Sequence, residues 1–433
     1  MQPYSSRRAR LAGQLQPGVL ILPTSPEFAR NADTGYPYRF DSSFFYLTGF
    51  QEPEAVLAIV IGDTPQSLLY CRDKNEEREI WDGYRYGPTK ASETFGFDAA
   101  ASIGELDSQI IELLKNQPRV YFPLGMDASW DARLTGWLNT VRAQSRAGFT
   151  APDEVVDPRG AIAEMRLFKD EHELDVLRQS GRINVEAHKR AMRFATPGTA
   201  EYAVEAELLH EYYRNGSRFP AYSSIVASGP NACVLHYIEN NRTIRDGDLI
   251  LIDAGCELGG YASDITRTFP ASGKFSGPQK AVYELVLAAH VAAQAEAAPG
   301  KPWNNMHDAA VKVLAQGLID LKLLTGSLDQ VLETETYRQF YMHRTGHWLG
   351  LDVHDAGAYK LQGEWRTLET GMVFTIEPGL YIRPAANVPA EFEHIGIRIE
   401  DDVAITANGN EVLSAGCPRT VAEIEGWIAE ARA

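Results

Sequence analysis

Gly247-Asp-Leu-Ile-Leu-Ile-Asp253-Ala-Gly255 is an apolar run of strand length, bounded by glycines, with an acid two places before its end. The pattern returns as Gly371-Met-Val-Phe-Thr-Ile-Glu377-Pro-Gly379, with the carboxylate again six residues after the first glycine. Alternate side chains of a strand share a face, so Asp253 lies with Leu251 and Glu377 with Thr375. A second acidic strand follows each run, Ser263-Asp264-Ile-Thr-Arg-Thr268 and then Ile397-Arg398-Ile-Glu400-Asp401. The spacing predicts two antiparallel hairpins, each bringing two carboxylates to a shared cleft. A weaker echo lies upstream, where Ala195-Thr-Pro197-Gly198-Thr199 and Ala298-Pro299-Gly300-Lys301 each open a helical stretch. Residues from about 168 onward therefore read as a duplicated unit of helices followed by a hairpin.

Strand interiors are poor in Asp and Glu, and a buried charge is costly unless it is paired or bound to metal. Ordinary core strands with capping acids are thus the weaker explanation of Asp253, Asp264, Glu377 and Glu400. Histidine completes the set. Three fall within His343-Arg-Thr-Gly346-His347-Trp-Leu-Gly350-Leu-Asp-Val-His354-Asp355. His343 and His347 have the i, i+4 spacing of a helical zinc motif, but that motif needs Glu after the first His, and here Arg344 follows. Gly346 and Gly350 argue for loop or strand, so His347 alone is assigned as a ligand, with His354 as a hydrogen-bonding group. His236 is a further candidate by its place in the first repeat. His172, His188, His210, His290, His307 and His394 read as structural. Four carboxylates and one imidazole suit two divalent metals sharing one water. So oxygen-rich a set favours a hard cation such as manganese.

At 433 residues and 44% hydrophobic, the chain can fill two substantial cores. A net charge of −17 opposes nucleic-acid binding, which needs a clustered basic surface. Cys71, Cys233, Cys256 and Cys417 have no CxxC spacing and read as free thiols. The stretch Leu11 to Leu22 is interrupted by Gly13, Pro17 and Gly18, which argues against a secretory signal, and no run approaches a membrane span. The expectation is a cytoplasmic protein without membrane contact. Val19–Leu22 and Ala55–Ile61 alternate with the helical Ile103–Asn116 and the strand-like Val120–Phe122, an α/β pattern. A boundary near Pro158-Arg159-Gly160 precedes a long amphipathic helix over Lys169–Phe194. The aromatic cluster Phe40, Phe44, Phe45, Tyr46 and Phe50 reads as core packing.

The motifs Leu-Ile-Asp253-Ala-Gly, Ser-Asp264-Ile-Thr-Arg-Thr-Phe, Gly-His347-Trp-Leu-Gly-Leu-Asp-Val-His354-Asp, Thr-Ile-Glu377-Pro-Gly-Leu-Tyr381 and Ile-Arg398-Ile-Glu400-Asp-Asp closely resemble aminopeptidase P, the Xaa-Pro aminopeptidases. That family belongs to the creatinase/methionine aminopeptidase/prolidase group. Asn31-Ala-Asp33-Thr-Gly-Tyr36-Pro37-Tyr38-Arg39 and Phe45-Tyr46-Leu-Thr-Gly49-Phe50-Gln-Glu-Pro53 resemble its amino-terminal domain. One departure is visible: the family commonly has His-Gly where this chain has His343-Arg344.

The resemblance implies an α/β amino-terminal domain over 1–167 and an α+β "pita-bread" catalytic domain with internal duplication over 168–433. It further implies that Asp253 binds one of two metals and that His347 and Glu377 bind the other, with Asp264 and Glu400 bridging. In this reading Glu377 carries the proton, while His236 and His354 are catalytic and contact substrate. Tyr359, Tyr381, Arg398 and Trp81 support the peptide, and Arg398 steadies Glu400. The expected reaction is release of the first residue from peptides with proline second, a tertiary amide that general aminopeptidases handle poorly. Prolidase activity and a non-catalytic binding module are the alternatives. The family's tryptophan enters a neighbouring subunit's site, so a homodimer or homotetramer is expected.

Overall fold

The runs Gly18–Pro23 and Val56–Ile61, buried along both faces, form the centre of a six-stranded mixed sheet. The structure, a computed structural model, describes residues 3–433. It divides into the units Met1–Arg166 and Leu167–Ala433. In the first unit the strand order is Ala99–Ser102, Gln66–Cys71, Val56–Ile61, Gly18–Pro23, Arg119–Tyr121, Glu154–Val156. Gly18–Pro23 runs antiparallel to Val56–Ile61 and parallel to Arg119–Tyr121. Val19, Ile21, Val56 and Ala58 pack against Leu106, Ile110, Leu134 and Trp137 of the helices Leu106–Leu114 and Ala128–Arg142. Two-sided burial explains why these strands read as continuous apolar runs rather than alternating ones. The aromatic cluster is core, as expected: Phe44, Phe45, Tyr46 and Phe50 are buried, and Phe40 stacks on Phe45 at 4.0 Å.

In the second unit the helices Glu171–Phe194 and Glu201–Arg214 precede one set of strands, and Gly277–Glu296 and Asn304–Asp320 precede the other. This is the duplicated arrangement that the repeated acidic runs imply. The first long helix starts at Glu171 rather than Lys169 because Asp170 caps it. Asp170 and Glu173 exchange side-chain-to-backbone hydrogen bonds of 3.0 Å, a capping box. Lys169 is left outside the helix, in a buried ion pair with Asp355 at 2.9 Å.

The first hairpin forms as its sequence suggests, with Leu249–Ala254 antiparallel to Ile265–Pro270 and Asp253 opposite Thr266. Ile250 and Ile252 face the helix-backed core with Val286 and Leu314, while Leu251 packs beside Ile225 and Tyr381 on the other face. Asp253 shares that second face.

The second hairpin is different from the single pair of strands expected. Val373–Ile376 pairs with Asp401–Thr406, and Gly379–Ile382 pairs separately with Ile395–Arg398. Pro378 is the physical reason, since it has no N–H to donate to a ladder and confines strand pairing to either side of it. Glu377 and Glu400 therefore sit at breaks, not within strands. Glu400 instead bridges to Thr266 of the first hairpin, its N–H donating to the Thr266 carbonyl at 3.0 Å. Among the described residues no helix is long and apolar enough to cross a membrane.

His188 and His290 are wholly buried, and desolvation lowers each imidazole to about 4. An unfolded chain takes up those protons near pH 6.5, before the folded one does. Stability is then full above pH 6.5 and falls as pH drops toward 4, by at most about 3 kcal/mol per histidine. His188→Gln is expected to melt with a shallower pH dependence than wild type between pH 6.5 and 4. Parallel curves in thermal denaturation would remove His188 from this account.

Candidate metal centre

Asp253, Asp264, His347, Glu377 and Glu400 all line one cavity of about 830 Å³. The anchors that hold them come from both halves of the duplication. Asp253 projects from the strand Leu249–Ala254, and its Oδ2 accepts from Arg398 Nη2 at 2.5 Å. Its Oδ1 accepts from the Tyr222 hydroxyl at 2.6 Å, and the same hydroxyl touches Asp264 Oδ1. The Asp264 N–H donates to Asp402 Oδ2 at 3.0 Å. Glu400 Oε2 accepts from the Thr266 hydroxyl at 2.7 Å. Glu377 is placed by its N–H on the Thr345 carbonyl, at 2.8 Å.

His347 is oriented from behind. Its Nδ1 lies 3.0 Å from the Trp348 carbonyl, which accepts only if Nδ1 carries the proton. The Nε2 lone pair then points at Asp264 Oδ2, 3.4 Å away, and Glu377 Oε1, 3.9 Å away. Asp264, His347 and Glu400 offer ligand atoms that all lie within 4.8 Å of one another.

Two glycines allow this crowding. A Cβ on Gly255 would lie 1.7 Å from the Ser263 carbonyl oxygen, and one on Gly346 would lie 2.0 Å from that of Thr375. Neither side of the cluster could close with a larger residue there.

Electrostatics follow from the packing. Burial raises the Asp264 and Glu400 carboxyls well above the usual carboxylate range, aided by Asp253 beside the first and Asp264 beside the second. Burial and then Glu400 push Glu377 up to about 8. Carboxylates this close resist ionising together unless a cation shares their charge. Hard oxygen donors and one available imidazole nitrogen fit divalent cations. Bound there, such cations would supply Lewis acidity, easing proton loss from water and drawing charge off a carbonyl.

The other expected residues also gather here. His236, His354, Tyr359, Tyr381 and Arg398 line the cavity. His354 packs edge-on against His347 at 4.2 Å. The Tyr359 hydroxyl accepts from the Trp348 N–H at 3.0 Å while its ring stacks on that indole. Arg398 makes its close ion pair with Asp253 of the other half, and its Nε donates at 3.2 Å to the Thr266 hydroxyl that in turn holds Glu400. The strand Ile395–Arg398 ends before Glu400, so the link between the two runs through Thr266. Trp81 is the exception. It lies in the Met1–Arg166 unit, 80% exposed on the helix Glu76–Asp82, and is not among those lining the cavity.

Sequence reasoning missed Tyr222 and His343. Nothing in Pro220-Ala-Tyr222-Ser-Ser marks a site. His343 carried a signal, being one of three clustered histidines, but was set aside as a ligand. Its Nε2 meets the Tyr381 hydroxyl at 2.9 Å and its Nδ1 lies 3.8 Å from Glu377 Oε2. Burial lowers it to about 3, so it is a neutral hydrogen-bonding group.

Comparison with known proteins agrees with this geometry. The metallopeptidase family M24 pattern matches residues 175–407, and the aminopeptidase P amino-terminal domain matches residues 4–121. The Xaa-Pro aminopeptidase of Escherichia coli K12 is 45% identical, covering 100% of this chain and 98% of its own. Xaa-Pro aminopeptidase 1 of Streptomyces coelicolor is 34% identical over 98% of this chain and 86% of its own. The structure of Pseudomonas aeruginosa aminopeptidase PepP superposes with a TM-score of 0.97 at 50% identity, covering 99% and 98% of the two chains. Zinc-substituted E. coli aminopeptidase P in complex with product does so at 0.98 and 44% identity, covering 100% and 99%. Fold and site together thus define a metal-dependent exopeptidase with a pita-bread catalytic domain. The chain belongs to metallopeptidase family M24, and it carries the aminopeptidase P amino-terminal domain ahead of the catalytic one.

His347→Ala is expected to weaken divalent-cation affinity more than ~100-fold, and Thr266→Val, which frees Glu400, about 10-fold. Calorimetric titration with manganese reads both. Wild-type affinity in His347→Ala would remove that residue from the donor set.

Proposed function

We propose that this protein is an Xaa-Pro aminopeptidase that releases the first residue of peptides whose second residue is proline. The observation that carries the reading is the meeting of four carboxylates and the His347 Nε2 in one cavity, on a chain matching such enzymes along its whole length. Asp253, Asp264, His347, Glu377 and Glu400 would hold two divalent metals. Manganese suits this donor set best.

Glu377 is the proton carrier in this scheme. Its side chain is 19% exposed, against 13% for Asp253 and 7% for Asp264, so it faces the space where water and peptide meet. It takes a proton from the attacking water and returns it to the proline nitrogen as the bond breaks. That nitrogen has no hydrogen in the substrate and must be protonated to leave. His236 and His354, both exposed to the cavity, donate to the peptide's carbonyl oxygens. Arg398 restrains Asp253, and the Tyr381 hydroxyl, 2.8 Å from Arg398 Nη1, links it to His343.

The cytoplasm is the compartment that four buried free thiols suit. Assembly as a homodimer or homotetramer accords with the exposed Ile80 and Trp81 pair, at 81% and 80% exposure. In such an assembly Trp81 of one copy would contribute to the peptide site of another. Trp81→Ala is then expected to raise KM more than it lowers kcat. An unchanged KM would place Trp81 outside the site.

Hydrolysis of Arg-Pro-Pro, Arg-Pro and Arg-Ala-Ala with manganese present tests the main reading. Arginine should be released from the proline tripeptide, and Glu377→Ala should lower that rate by roughly 10²- to 10⁴-fold. Cleavage of Arg-Pro alone would make the enzyme a dipeptidase. No cleavage by metal-loaded protein would leave a binding module.

A further inference from the structure

The cavity holds a cation that none of these steps uses. Arg344 is exposed and lines the same cavity as Glu377 and its neighbour His343. Its guanidinium stands 5.0 Å from the centre of the Trp365 ring, and its Nη2 donates to Asn304 Oδ1. Trp365, itself a lining residue, also carries the Lys360 ammonium 4.4 Å from its ring centre. Lys360 sits opposite Trp365 across the short hairpin of Lys360–Leu361 and Glu364–Trp365. Arg344's hydrogen-bond partner is a neutral amide, so among the described residues no ion pair offsets its charge. This is unusual company in a chain whose net charge is −17.

Both contacts restrain the side chain without occupying it. Stacking on an indole orients a guanidinium, and a single amide acceptor leaves other N–H donors in their planar fork. A fork of that geometry matches a carboxylate, with which it forms paired charge-assisted hydrogen bonds.

Building on the peptide-cleaving function proposed above, we infer that Arg344, held by Trp365 and Asn304, is a subsite for a carboxylate of the bound peptide. Two sources share that chemistry: the C-terminal carboxylate of a short peptide and an acidic side chain. Arg344 then sets specificity through KM and leaves the bond-breaking groups untouched.

The test compares Ala-Pro-Ala as free acid and as amide, and Ala-Pro-Glu-amide with Ala-Pro-Gln-amide, in wild type and Arg344→Gln. Wild type should favour the carboxylate-bearing member of at least one pair by roughly three- to tenfold in kcat/KM, through KM. In Arg344→Gln that ratio should collapse toward one, and Arg344→Lys should restore part of it. Collapse in the first pair identifies the C terminus as the source, and collapse in the second identifies the side chain. A ratio that survives in both pairs, or an equal loss for all four peptides, overturns the assignment. Calorimetric binding of the same peptides to Glu377→Ala and to Glu377→Ala/Arg344→Gln gives the ratio without turnover. If no peptide is cleaved, the proposed function fails, while the binding ratio still decides the role of Arg344.

Discussion

Carboxylate crowding is the constraint on which the rest of the site depends. Asp253, Asp264, Glu377 and Glu400 repel one another across one cavity, and each would rotate away unless tethered. The tethers are specific: Arg398 and Tyr222 on Asp253, Asp402 beneath Asp264, the Thr266 hydroxyl on Glu400. Arg267 works one layer deeper. It is 1% exposed, donates to the Thr266 and Glu400 carbonyls at 2.9 and 2.6 Å, and pairs with Asp401 at 2.6 Å. A buried arginine of this kind is stabilising only because nearly every donor is matched. Loss of one tether would free a carboxylate to turn toward solvent, and the donor set would lose its spacing before the fold lost its stability.

Much of this was legible in the chain because strands and glycines leave periodic marks. The repeated Gly-to-acid spacing located the first hairpin and the acids of the second, though not the second's split pairing, and the cavity collects all ten expected residues of the catalytic unit. What escaped were relations with no local signature. Arg398 and Asp253 are 145 positions apart, and no pattern within either strand announces their pairing. Tyr222 lies in a short irregular segment, where no periodicity exists to be read. His343 was visible as one of three histidines, but spacing alone does not separate a ligand from a neutral hydrogen-bonding neighbour.

The amino-terminal unit teaches a complementary lesson. Its two central strands are apolar along both faces and its aromatic cluster is core, and those features were legible, whereas the outer strands and most of its helices carried no such mark. The exposed pair Ile80 and Trp81 is the exception, on a helix with no buried residue at all. Such a helix is held by its ends and by local turns, with Asn75 capping its start by accepting from the Arg78 N–H.

The bridge between Thr266 and Glu400 has a consequence for how the molecule is made. It joins segments 134 residues apart, and neither half of the duplication contains a complete donor set. Closing so long a loop is slow and is rewarded only once both hairpins are in register. Cation capture therefore belongs to the last stage of folding. A nascent or half-folded chain presents scattered acids with no more claim on a divalent cation than any anionic surface.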